Sequence, residues 1–225
     1  MPRRPGGKFL RTGAVFLRGV RMVQNQIVPH AQAWQQHNRQ VLDGGDEPLW
    51  VVLGDSMAQG VGAKHFKDGW VGQLDTRLKK AGKQYRLLNL SISGARIRDV
   101  MDYQLPELEA LGDQPELITV LIGSNDMVRK KYRVNALADF DELLEVLPVG
   151  TVIGNILGGK GVPIAMDMRL QRAVQARGLI VADIRRNGPQ EWKGLVAEDF
   201  FHPNERGYRI LADVFALAIG LPAAE

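Results

Sequence analysis

The chain alternates short apolar runs with longer stretches whose apolar residues recur at helical spacing, and this alternation leaves few folds open. Leu49-Trp50-Val51-Val52-Leu53, Arg86 to Leu90, Leu117 to Ile122, Thr151 to Ile156 and Leu179 to Asp183 have the length and apolar density of strands. Helical faces separate them, made by Trp70, Val71, Leu74, Leu78 and Ala81, by Ile97, Val100, Met101, Leu105 and Leu108, and by Ala136 to Leu147. An arginine-bearing segment near Arg169 to Arg177 and a last face of Tyr208, Leu211, Phe215 and Ala218 complete the series. Strands separated by helices pair in parallel, with the helices covering both faces. The pattern predicts an α/β fold, a three-layer α/β/α sandwich with a central, mostly parallel five-stranded sheet, and 225 residues suffice for one such domain with a good core.

Open α/β sheets gather their chemistry at the carboxyl ends of the strands. After the first run comes Gly54-Asp55-Ser56-Met57-Ala58-Gln59-Gly60, where a tight turn at the glycine would hold Ser56 at the sheet edge. Ser91-Ile92-Ser93-Gly94-Ala95-Arg96 follows the second run and Gly123-Ser124-Asn125-Asp126 the third. A glycine lets a backbone amide approach a substrate, and an asparagine amide can donate to a developing oxyanion. Near the C-terminus, Asp199-Phe200-Phe201-His202 sets a carboxylate three residues before an imidazole, where it can fix the ring tautomer. Each feature also has an ordinary structural reading: Asp and Ser cap helices, Gly and Asn favour turns, and Asp-x-x-His can be a surface hydrogen bond.

Taken together, Gly54-Asp55-Ser56, Gly94, Gly123-x-Asn125-Asp126 and Asp199-x-x-His202 resemble, in order and at the right strand ends, the four signature blocks of the GDSL/SGNH hydrolase family, over roughly Leu49 to Leu221. The resemblance implies the flavodoxin-like SGNH hydrolase fold and a serine esterase or lipase-like activity, with no cofactor and no metal. It implies Ser56 as nucleophile, His202 as general base and then general acid, and Asp199 as the group that orients His202. The backbone amides of Ser56 and Gly94 and the side chain of Asn125 would form the oxyanion hole. The implied reaction is acyl transfer to water through an acyl-serine intermediate. Asp55 reads as a cap or turn residue, and Met57, where the family often has leucine, is a near-isosteric replacement. Rival signatures are missing: there is no Gly-x-Ser-x-Gly and no Gly-Lys-Ser/Thr, and Gly60-Val61-Gly62-Ala63-Lys64-His65 lacks the third small residue of a dinucleotide fingerprint.

Substrate choice is expected to fall to the loops over the strand ends, Met57 to Ala63, Met127 to Arg133 and Leu157 to Met168, with Met57, Met127, Arg129 and Leu157 as candidate binding residues. No long apolar loop is visible to line a deep lipid tunnel, so the expected substrate is a small-molecule carboxylic ester of short or medium acyl chain. An acyltransferase using the same acyl-serine, and an idle module docking through a basic N-terminal helix, are the alternatives.

The formal charge of +4 belongs to the first 50 residues, which hold seven basic and three acidic side chains; the remainder is balanced and offers no nucleic-acid surface. Phe9, Gly13, Phe16, Val20, Val23 and Ile27 recur at helical spacing and predict a basic amphipathic helix over residues 8-28. It belongs to an N-terminal part, residues 1-48, ahead of a hydrolase domain over 49-225. Arg18 interrupts the apolar run, which argues against a secretory signal, and the segment is too short and too charged to span a bilayer. Two uses stay open: peripheral contact with an anionic membrane, or packing on its own domain or in self-association. His30 and His37 read as exposed. The chain has no cysteine, which excludes disulfides and thiolate zinc sites and suits a cytoplasmic location, peripheral to the membrane if the helix lies there. Asn89-Leu90-Ser91 is formally a glycosylation sequon, but it falls at a strand end expected to be buried.

Overall fold

The apolar runs assemble into one sheet in a computed structural model that describes residues 18–158 and 160–221. Strands β1 (Leu49–Gly54), β2 (Arg86–Asn89), β3 (Leu117–Leu121), β4 (Val152–Gly154) and β5 (Ile180–Ala182) are all parallel, in the order β2-β1-β3-β4-β5. β1 and β3 are central and every residue of both is buried, which is why their sequences are continuously apolar. The winding direction reverses between β1 and β3, so their carboxyl ends flank the crevice where such sheets bind ligands.

Side chains alternate across the sheet and divide the core in two. Leu49, Val51 and Leu53 of β1 pack with Ile97, Val100, Phe140, Leu143 and Leu170 on one face. Trp50 and Val52 pack with Trp70, Leu74, Tyr208, Leu211 and Phe215 on the other, where the Trp70 and Phe215 rings stack at 4.2 Å. The first face is covered by the helical run 97–110, whose middle (Val100–Gln104) is a π turn, and by helices Ala136–Val146 and Val162–Arg177. The second is covered by helices Trp70–Lys80 and Glu205–Ala218.

The N-terminal segment departs from the expected pattern. Residues 18–24 are helical, the chain breaks at 25–26, and a separate helix, α1 (Ile27–Leu42), follows. The part of the expected helix before residue 18 lies outside the described residues. α1 is not a polar appendage: Trp34 is buried in the core and donates Nε1 to the Gln59 carbonyl at 3.2 Å. The expectation of exposed histidines is corrected as well, since His30 is buried and His37 Nε2 lies 3.1 Å from the Leu87 carbonyl. Asn38 donates to the Asn89 carbonyl at 2.7 Å and accepts from the Asn89 N–H at 3.0 Å. β2 is an edge strand, and these side chains satisfy backbone groups that would otherwise invite another strand. Asn89 itself is buried and its Nδ2 donates to the Ala58 carbonyl at 2.9 Å, so the sequon is closed to a glycan in the folded chain. Among the described residues no helix is long and apolar enough to cross a membrane.

Candidate active site

β1 ends at Gly54 with φ of 150°, where a Cβ would stand 2.5 Å from the Leu121 carbonyl oxygen, so only glycine fits. The chain then coils into a turn, with Ala58 N–H donating to the Asp55 carbonyl at 3.1 Å and Val61 N–H to the Ser56 carbonyl at 3.0 Å. The next long helix begins only at Trp70, so Asp55 and Ser56 are not its caps. Asp55 instead closes the turn on itself, Oδ1 accepting the Met57 N–H at 2.9 Å. Ser56 is left almost buried, 4% exposed, beneath the last loop of the chain.

That loop carries His202. Ser56 Oγ lies 2.8 Å from His202 Nε2 although 146 residues separate them, and His202 Nδ1 lies 2.6 Å from Asp199 Oδ2. Asp199 Oδ1 accepts the N–H groups of Phe201 and His202 at 3.0 and 3.1 Å. One carboxylate oxygen thus shapes the loop and the other holds the imidazole. Phe200, between them, has φ of 58°, the one positive value at a non-glycine among the described residues. Burial alone would raise the Asp199 carboxyl, but the hydrogen bond from His202 and the Phe201 amide outweigh it and hold the group below its ordinary range. An ionised Asp199 accepts only, so Nδ1 carries the ring proton and Nε2 is free to accept from the serine hydroxyl. Asn204 then caps helix Glu205–Ala218 by accepting the Arg206 and Gly207 N–H groups, fixing where the loop ends.

Asn125 follows β3. Gly123, with φ of 112°, turns the chain into the helical turn Ser124–Val128. Asn125 Nδ2 donates to the Ala95 carbonyl at 2.9 Å and lies 3.3 Å from Asp55 Oδ2. Gly94 has φ of 82° with open space around it, so conformation and not crowding demands glycine there. Neither the Ser56 nor the Gly94 N–H donates to another described residue. Two buried carboxyls support this corner. Asp55 is pushed up to about 6 by burial, with the Met57 amide and His202 pulling it back. Asp126 is pushed up to about 6 by burial against the Ile97 amide, which donates to its Oδ2 at 3.1 Å. Neither tie was legible beforehand: Asp55 could be read as a turn residue, but its reach to Asn125 crosses 70 positions.

A cavity of about 320 Å³ is lined by Met57, the residue after Ser56, by Phe201 and Pro203, which flank His202, and by Met127, Ile156, Leu157, Trp192 and Phe200 among others. Three of the four expected substrate residues line it. Arg129 does not; it is exposed on the surface beyond, where its charge stays in water. The far wall is held by polar groups behind it. Asn155 Nδ2 donates to Asp167 and Asp183 at 2.8 Å each, and Arg185 Nη1 donates to the carbonyls of Ile156 and Gly158 at 3.0 and 2.9 Å. Among the described residues no group of three His, Cys, Asp or Glu is placed to hold a metal ion.

Residues 52–210 match the model of the GDSL-like Lipase/Acylhydrolase family. Esterase TesA of Pseudomonas aeruginosa is 37% identical over 81 residues, and the chain spans 38% of the length of that relative. Among solved structures, one of TesA superposes with a TM-score of 0.64 at 21% identity, covering 76% of this chain and 98% of its own. Axe2, an acetylxylan esterase from Geobacillus stearothermophilus, gives 0.61 at 21% identity, covering 80% and 96%. LAE5, an α/β hydrolase from the metagenome of Lake Arreo, Spain, gives 0.61 at 20%, covering 77% and 95%. At these identities the structural likeness establishes the fold.

Proposed function

Since this chain belongs to the GDSL-like lipase/acylhydrolase family, we propose that it is a serine esterase that cleaves small carboxylic esters of short or medium acyl chain through an acyl-serine intermediate. The observation that carries the reading is the unbroken relay from Ser56 Oγ to His202 Nε2 at 2.8 Å and from His202 Nδ1 to Asp199 at 2.6 Å. In this reading Ser56 Oγ attacks the ester carbonyl while His202 Nε2 takes its proton, and the Asp199 carboxylate stabilises the imidazolium. The proton then passes to the departing alcohol. Water repeats the sequence on the acyl-serine and releases the acid, restoring the serine.

The negative charge that develops on the carbonyl oxygen falls to the Ser56 and Gly94 amides and to Asn125. Of the two contacts of the Asn125 amide, the 3.3 Å approach to Asp55 is the weaker and the one a substrate oxygen would replace, while the 2.9 Å bond to Ala95 keeps the group aimed. The apolar cavity suits the acyl chain, in keeping with Met57, Met127 and Leu157 in its lining. The similarity to an esterase and to an acetylxylan esterase favours an ester over other acyl donors.

Initial rates on p-nitrophenyl acetate, butyrate and octanoate test the reading. It expects turnover by the native chain and a fall of about 10³-fold or more in kcat for Ser56→Ala. A native chain inactive on all of them, or a Ser56→Ala variant as fast as the native one, overturns it.

A further inference from the structure

The family match begins at residue 52, yet the chain before it touches both loops that carry Ser56 and His202. Gly19, in the helical stretch 18–24, lies directly on the backbone of Glu198, the residue before Asp199; a Cβ at position 19 would collide with the Glu198 carbonyl oxygen. Gln26, in the break between the two helices, turns its side chain onto the serine loop, where Oε1 accepts the Gly62 N–H at 2.8 Å. Gly62 is itself pressed against the histidine loop: a Cβ there would collide with the Pro203 carbonyl and stand 2.8 Å from His202 Cβ. Trp34 completes the hold through its bond to the Gln59 carbonyl at 3.2 Å.

These contacts are specific, and Val23, between Gly19 and Gln26, is itself buried. Met22, Val23 and Gln26 border, together with Gly62, Ala197 and Phe200, an open cleft of about 510 Å³. The serine loop is packed into the core, with Ala58, Val61 and Ala63 buried, whereas the histidine loop is exposed at Glu198, Phe200 and Phe201 and pairs 196 with 203 only as an isolated bridge. A loop with few buried apolar contacts, such as the histidine loop, opens at low free energy. The Ser56–His202 distance joins this loop to the buried serine loop, and a misplacement of about 1 Å in a reacting group can lower a rate by about 10²-fold.

Resting on the reading of Ser56 and His202 as the reacting pair, we propose that Gly19 and Gln26 are positioning residues, through which the N-terminal segment braces the serine and histidine loops against each other and sets the Oγ to Nε2 distance. Neither residue touches substrate. The segment is in this account a working part of the site and not a separate docking arm.

The test uses the full chain with Gln26→Met, which keeps the length and loses the acceptor, Gln26→Glu, which keeps an acceptor, and Gly19→Ala. The readouts are kcat and KM on p-nitrophenyl butyrate, the rate of inactivation by a fluorophosphonate, and Tm. Gln26→Met and Gly19→Ala should lower kcat and the inactivation rate by about 10-fold, with KM within about twofold and with Gln26→Glu restoring most of the loss. A fall in Tm with kcat and inactivation rate unchanged, or a loss that Gln26→Glu does not restore, overturns the brace. A native chain that neither turns over esters nor reacts with the fluorophosphonate overturns the esterase reading instead.

Discussion

The Gln104 side chain hydrogen-bonds both backbone groups of Gly54, Oε1 accepting the N–H at 2.8 Å and Nε2 donating to the carbonyl at 2.8 Å. β2 pairs with β1 only as far as Val52; just beyond it the Ile92 N–H still donates to the Gly54 carbonyl at 3.1 Å, but the Gly54 N–H has no partner from that segment, and an amide from the π turn stands in for one. The substitution takes place two residues before Ser56. Insertions of this kind are concentrated at functional sites.

Gln104→Leu, similar in volume, leaves the Gly54 N–H buried and unpaired. The expected loss is about 1–3 kcal/mol of stability, read by denaturant unfolding, together with a fall in kcat because the end of β1 is freed. Unchanged stability and unchanged kcat would show that the clamp matters to neither.

Asp199→Asn keeps an oxygen for the Phe201 and His202 amides but removes the charge that fixes the imidazole. The loop should therefore survive, with Tm near the native value. kcat should fall by about 10³–10⁴-fold, and a fall of less than about 10-fold would contradict the orienting role.

Asp55 makes stability depend on pH. Its folded value of about 6 lies above the ordinary 3.8, so the folded chain holds the proton more tightly than the unfolded one. The stabilisation is full below about pH 4 and is lost as pH rises through about 6, an effect of roughly 3 kcal/mol. Asp126 acts in the same direction. Asp55→Asn places two amide groups face to face beside Asn125, a penalty that does not vary with pH, but it removes the buried charge. Measured by unfolding at both values, the variant should compare more favourably with the native chain at pH 8 than at pH 4. Equal differences at the two would contradict the account.

Arg185 fixes the far wall of the cavity through the Ile156 and Gly158 carbonyls, which hold Leu157 in place. Arg185→Met keeps the stem and removes the donors, so the wall should yield to longer chains. The ratio of kcat/KM on octanoate to that on acetate should rise about 3- to 10-fold. An unchanged ratio would mean that the wall is set by packing alone.

Much of this was readable in the sequence because it is local. The runs at Leu49 to Leu53 and Leu117 to Ile122 declare buried parallel strands, and Gly54 and Gly123 mark where each must turn. Asp199 and His202 lie within one turn of each other, so their pairing follows from spacing. Helix α1 is not announced by the sequence, since its polar, glutamine-rich stretch conceals two buried residues, His30 and Trp34, and Gln59, the partner of Trp34, is 25 positions away. Asp55 with Asn125, Gln104 with Gly54 and Gln26 with Gly62 are all single contacts between distant segments. No periodicity announces such pairs, because each involves one side chain and no repeating face. Arg129 drew notice through its charged neighbours, and charge alone does not say which side of a loop faces the cavity.

The most direct measurement is reaction of the native chain with a fluorophosphonate, followed by peptide mapping of the adduct. The account predicts a single modified residue, Ser56, with labelling abolished in Ser56→Ala and strongly slowed in His202→Ala. Labelling at another residue, or none under conditions that modify a known serine esterase, would contradict it.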